Sequence, residues 1–125
     1  MHAPHSLGAE GENIAARYLA GKGYRIIARN YRFRRNEIDI IAADGQVLCF
    51  TEVKTRASLE KGYPAEAVTL RKQKEIARAA SGYLAKLASP SPDCRFDVIA
   101  ILAHCVVGPR IVEYEIEHIR AAFMV

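Results

Sequence analysis

The stretch N-E-I-D-I-I-A-A-D-G-Q-V-L-C-F-T-E-V-K-T-R, Asn36 to Arg56, constrains the fold most strongly. Asp44-Gly45 at its middle is a hairpin signal, because a tight two-residue turn needs positive φ and these residues tolerate it. With Asp44 and Gly45 as the loop, Ala43 faces Gln46, Ile41 faces Leu48, Asp39 faces Phe50 and Glu37 faces Glu52. Side chains alternate along a strand, so Glu37, Asp39, Ile41, Leu48, Phe50, Glu52 and Lys54 share one face. That face is apolar near the turn and carries three carboxylates and an ammonium group beyond it. Like charges opposite each other on paired strands repel unless something positive lies between them. Two readings follow: a solvated strand face, or a site in which a divalent cation, with Lys54 nearby, lies between the carboxylates. Spacing alone does not separate them.

At 125 residues, 50% hydrophobic and 26% charged, the chain has the composition of an ordinary globular protein. One domain over 7–125 is expected behind a flexible tail at 1–6. No apolar run approaches the ~20 residues of a membrane-spanning helix, and M-H-A-P-H-S lacks a signal-peptide core, so a cytoplasmic location is expected. Cys49, Cys94 and Cys105 lack C-x-x-C spacing and read as small apolar residues in or beside strands. The net charge of +4 and pI near 9.1 suit a polyanionic partner. Arg29, Arg32, Arg34 and Arg35 are interleaved with Tyr31 and Phe33. Guanidinium forks bind phosphate and aromatic rings stack on bases, so this segment suits nucleic acid; a solvated loop with two anchoring aromatics is the alternative.

Along the chain, Ser6 is placed to cap a helix that stops at Gly23, with Ile14, Ala15, Tyr18 and Leu19 on its packed face. Glu12 falls at the margin of that face, where it either looks toward the sheet or faces solvent near the helix start, favoured by the macrodipole. A first strand is expected over 24–30, then an arginine-rich connection, then the hairpin, as an antiparallel meander. Gly62 and Pro64 break the chain after Arg56. A short helical turn follows around 65–68, then a helix from Leu70 to about Leu87, capped by Thr69 and burying Ile76, Ala80, Tyr83, Leu84 and Leu87. Arg71, Lys72 and Lys74 in its first turn oppose the helix dipole and are compatible with a phosphate contact. R-F-D-V-I-A-I-L reads as a buried strand, which the preceding helix allows to lie parallel to its neighbour. I-V-E-Y-E-I reads as a half-exposed last strand and H-I-R-A-A-F as a short terminal helix. Asp97 either joins the site or pairs with a neighbouring arginine.

Asp39, twelve intervening residues and then Glu52-Val53-Lys54 resemble the D-x(n)-E-x-K core of the restriction-endonuclease-like nucleases. G-A-E-G-E-x-x-A-A-R-Y-L, N-E-I-D-I-I-A, F-T-E-V-K-T-R, P-A-E-A-V, R-F-D-V-I-A-I and H-I-R-A-A-F, in that order, resemble the bacterial YraN family of that superfamily. The resemblance implies an α/β, restriction-endonuclease-like fold, a central mixed sheet of about five strands flanked by helices, similar to archaeal Holliday junction resolvases. It implies Asp39 and Glu52 as ligands of Mg or Mn, Lys54 as the catalytic lysine and Glu12 as the helix-borne acid completing the site. Glu37 is a secondary candidate. Where the family carries glycine before E-I-D this chain has Asn36, a residue able to adopt glycine-like backbone. The expected activity is metal-dependent phosphodiester hydrolysis, with nucleic acid, DNA before RNA, as partner and a homodimer by analogy. Arg32, Arg34, Arg35, Arg56 and Lys72 are the expected contacts to the nucleic-acid backbone. The rival expectations are a nucleic-acid-binding protein of this fold that does not cut, and an adaptor whose acids pair with its arginines.

Overall fold

The computed structural model describes residues 7–58, 62–63, 68–87 and 92–124. The expected tail, the Ser6 cap and most of the helical turn around 65–68 lie outside these residues. The elements are α1 (Leu7–Gly21), β1 (Arg25–Phe33), β2 (Asn36–Asp44), β3 (Val47–Arg56), α2 (Leu70–Leu84), β4 (Cys94–Val107) and β5 (Arg110–Phe123). They form one five-stranded sheet in the order β1-β2-β3-β4-β5, antiparallel except for the β3–β4 pair. This is the mixed α/β sheet that the sequence predicts, and α2 makes the crossover that lets β4 run parallel to β3.

The two helices cover opposite faces. Ile14, Ala15 and Leu19 of α1 pack on Ile40, Ala42, Val53, Ile99 and Ile101. Ile76, Ala79 and Ala80 of α2 pack on Ile38, Ile41, Leu48, Phe50 and Val98. The Thr69 hydroxyl caps α2 by accepting the Lys72 N–H at 3.2 Å. The helix ends earlier than expected, leaving Leu87 36% exposed and outside the core.

Several expectations are corrected by the register. The β2–β3 loop is Gly45-Gln46, because Asp44 already pairs with Val47. Gly45 has φ +61° at the first loop position, where a type II′ hairpin requires it. The shift sets Ile41 opposite Phe50 rather than Leu48, and pairing ends at Ile40–Thr51. Glu37 therefore does not face Glu52; it lies opposite Arg32 of β1. Strict alternation also fails, since Ile38 and Ile41 both enter the α2-side core while Ile40 enters the α1 side. Asn30, with φ +52°, sits in β1 between the partners of Ile38 and Ile40 and marks the same irregularity.

β1 extends to Phe33, so the arginine-rich segment is mostly strand, and only Arg34-Arg35 form the turn. Asn36 pairs with Phe33 and is not among the residues at positive φ; Arg34, at +58°, takes the left-handed position instead. Asparagine in place of glycine at 36 is thus no obstacle to the hairpin. H-I-R-A-A-F is not a helix but the end of β5, paired through Phe96–Phe123. So short a segment cannot sustain a helix unaided, whereas the open edge of β4 satisfies its backbone.

Gly11 fixes how closely α1 approaches the sheet. A Cβ there would lie 1.9 Å from the Thr55 hydroxyl of β3, so only glycine fits. Gly11→Ala is expected to lower stability in urea denaturation by about 1–3 kcal/mol through overpacking. Gly21→Ala, with nothing within 4 Å of the added carbon, is the control and is expected to be neutral or stabilising by up to ~1 kcal/mol.

Candidate active site

Beyond Ile40–Thr51 the β2–β3 ladder gives way to a side chain. The Asp39 carboxylate accepts the Val53 N–H at 2.8 Å, taking the place of a strand carbonyl. This fixes Asp39 beside the strand that carries Glu52. Glu52 is only 3% exposed. Its Oε2 lies 3.6 Å from Lys54 Nζ and 3.8 Å from Lys72 Nζ, and its carboxyl is within hydrogen-bond reach of Asp39.

The electrostatics of this group are unfavourable as they stand. Burial, then the charge of Asp39, pushes the Glu52 carboxyl up to about 8, against the opposing pull of Lys72 and Lys54. Glu12 on α1 is pushed up to about 7 by burial and by Asp39 and Glu37, despite Arg29 and a hydrogen bond with Asn30. Asp39 thus lies within electrostatic reach of an acid on each side. Such a cluster is a site signature, because carboxylates raised by burial and by one another gain most from a bound cation.

Tested against a divalent ion, the residues fit. The donors are oxygens, which suit Mg or Mn, and Mg commonly takes one or two carboxylates and keeps several waters. The buried Glu52 carboxyl, held protonated by burial and by Asp39, is the group such an ion would keep ionised. Among the described residues, however, no group of three or more His, Cys, Asp or Glu side chains is gathered to hold an ion. Glu12 is coupled to Asp39 by charge but does not complete a three-carboxylate cage.

The expected nucleic-acid residues divide. Lys72 is in the centre itself, against Glu52. Arg32 pairs with Glu37 at 3.3 Å. Arg34 lies with its guanidinium 5.2 Å over the Phe33 ring. Arg35 lines an open cleft with Arg71, Lys74 and Arg78 of α2. Arg56 is half-buried, and its Nε has no partner.

Asp97 does not join this centre. It is fully buried and accepts from Arg95 Nε at 3.0 Å and from the Ala121 N–H at 2.9 Å, and pairs with His118 Nε2 at 2.9 Å. Arg95 also reaches Asp44 and the Tyr24 hydroxyl. Burial raises the Asp97 carboxyl, but these hydrogen bonds outweigh it and leave it below its ordinary value. R-x-D spacing put Arg95 and Asp97 on one strand face, but nothing local in the sequence pointed to His118, which the β4–β5 register delivers.

The fold and this centre define a five-stranded mixed α/β protein whose carboxylates and lysines meet where two strands part. The chain belongs to the family described as "Uncharacterised protein family UPF0102", which matches residues 11–101. A UPF0102 protein of Chlorobaculum tepidum is 72% identical over 125 residues, covering 100% of this chain and 97% of that relative. One of Chlorobaculum parvum is 70% identical over the same length and shares. A UPF0102 protein of Symbiobacterium thermophilum is 58% identical over 95 residues, 76% of this chain and 80% of that relative.

The raised carboxyl has a thermodynamic consequence with a definite sign. Folded Glu52 holds a proton up to about pH 8, whereas an ordinary glutamate loses it near 4.5. Its contribution is therefore complete below the lower value and is lost as pH rises through the higher one. Metal-free protein is expected to melt at a lower temperature at about pH 8.5 than at about pH 5.5, and Glu52→Gln to reduce that difference, the raised Glu12 carboxyl supplying the remainder. A Glu52→Gln melting profile that falls as steeply as the parent's would show that Glu52 is not the group responsible.

Proposed function

We propose that this protein is a divalent-metal-dependent nuclease that hydrolyses phosphodiester bonds in DNA, branched or otherwise structured DNA included. The observation that carries the reading is the approach of Asp39 and Glu52 from adjoining strands, near enough for their carboxyls to hydrogen-bond, with two lysines against Glu52. Two carboxyls held this close hold a proton between them when no cation is bound, which a purely structural ion pair does not require. Asp39 and Glu52, with the Val53 carbonyl, would hold Mg or Mn. When bound, the ion supplies neutralisation of phosphate charge and a lowered pKa for water.

The chain's own groups do the rest. Lys54 is half-buried and held by Glu52, placed to orient a water or to stabilise charge developing on phosphate. Lys72 adds a second ammonium from α2 at the same carboxylate. Glu12 tunes the pair through Asp39, whose charge it feels. The D-x(12)-E-x-K spacing adds support, since the resemblance assigns the same residues the same roles.

One observation favours a second reading, binding of nucleic acid without cleavage: the described residues offer two carboxylates and no third for an ion. The test separates the two. Branched, flapped, single-stranded and duplex DNA, together with RNA, are incubated with Mg or Mn. Cleavage is expected, abolished by chelator and reduced on the order of 10²–10³-fold in Asp39→Ala and Lys54→Ala. Cleavage unchanged in both variants would be contamination and would end the nuclease reading. Salt-sensitive binding without any cutting would establish the second.

A further inference from the structure

Two adjoining recesses run between α2 and the β1–β2 turn. One, of about 630 Å³, is lined by Arg35, Asn36, Arg71, Lys74, Glu75 and Arg78. The other, of about 510 Å³, shares Asn36 and Arg78 but has an apolar wall. In it Phe33 and Arg34 stand on one side and Ala77, Ser81 and Gly82 of α2 on the other. Each is within the ~300–1,000 Å³ range of small-ligand sites.

Charge and shape point to different parts of one ligand. Arg34, Arg35, Arg71, Lys74 and Arg78 form no ion pair among the described residues, and Glu75 is the sole acid lining either recess. So many cations around one cleft repel one another and favour an anionic occupant. Phosphates account for the cationic recess but not for the apolar one. Phe33 is seated directly on Gly82, where a Cβ would meet its ring at 2.2 Å, and Arg34 lies across that ring. The exposed guanidinium plane, backed by that ring, is a surface on which a flat heteroaromatic base stacks. In a duplex the bases are stacked on one another and only phosphates and groove edges are presented, so a base enters such a recess only when unpaired.

We infer that this cleft binds single-stranded nucleic acid, with phosphates along Arg35, Arg71 and Lys74 and an unpaired base in the Phe33–Ser81 recess. α2 also delivers Lys72 to Glu52, so the same helix turn serves the cleft and the carboxylates. The inference rests on the proposed function for its ligand class, and it specifies the substrate as strands with unpaired nucleotides: overhangs, flaps or loops.

The test is fluorescence anisotropy without divalent cation, so that binding is read apart from cleavage. The ligands are a single strand, a blunt duplex of equal length and the same strand made abasic. The single strand is expected to bind roughly tenfold more tightly than either other ligand. Ser81→Phe, at an exposed position, fills the recess and is expected to remove that preference while keeping salt dependence. Arg78→Ala or Lys74→Ala is expected to weaken every ligand and to lower the single-strand salt slope by about 0.7. Equal binding of abasic and normal strands, or displacement by poly-glutamate as readily as by oligonucleotide, overturns the inference. Neither result touches the nuclease reading. Failure of the wild type to cleave any substrate, with the single-strand preference intact, supports the cleft and removes that reading alone.

Discussion

The hydrogen bond from the Val53 N–H to the Asp39 carboxylate holds the candidate centre together. Strand pairing between β2 and β3 stops one step earlier, and an ordinary strand end would leave that N–H to water or to nothing. The carboxylate accepts it as a charge-assisted bond, worth roughly 1.5–3 kcal/mol. One interaction thus satisfies the backbone of β3 and anchors an acid beside Glu52. The break in alternation puts Ile38 and Ile41 on the α2 side and Ile40 on the α1 side, with Asp39 between them.

Two acidic groups in the same sheet meet opposite fates. Asp97 receives a guanidinium, a backbone N–H and a histidine, and its carboxyl lies below the ordinary range. Glu52, nearly as buried, receives two lysines at 3.6 and 3.8 Å that do not offset burial and Asp39. Burial acts in the same direction on both, so the difference lies in partners. The chain surrounds Asp97 with donors and sets Glu52 against a second carboxyl. A buried acid held against a second acid weakens a fold, so its presence needs a function or a ligand to account for it.

Much of this was legible before the fold was known. Gly45 announced the turn, the apolar runs announced the interior strands, and Thr69 announced the start of α2, because each rests on local geometry or periodicity. Motif joins Asp39 to Glu52, whereas a register counted from the sequence does not. Counting from Asp44-Gly45 set Asp39 opposite Phe50, and a turn displaced by one residue on each strand moved it toward Glu52. The terminal H-I-R-A-A-F segment has a helix-compatible composition, and the free edge of β4 outweighed it. Lys72 was visible as a cation on a helix, but not as a neighbour of Glu52.

The sequence by itself determined the alternation of elements, the carboxylates and lysine of the centre, and the family, because hydrophobic period, turn residues and motif order are properties of neighbouring positions. Tertiary structure alone decided which acids are satisfied and which are not. The register that carries His118 to Asp97, the packing of Gly11 on Thr55 that sets α1 and Glu12 against the sheet, and the crossover that brings Lys72 to Glu52 all join residues far apart in the chain. Their energies depend on burial and distance, quantities that do not exist until the layers have packed.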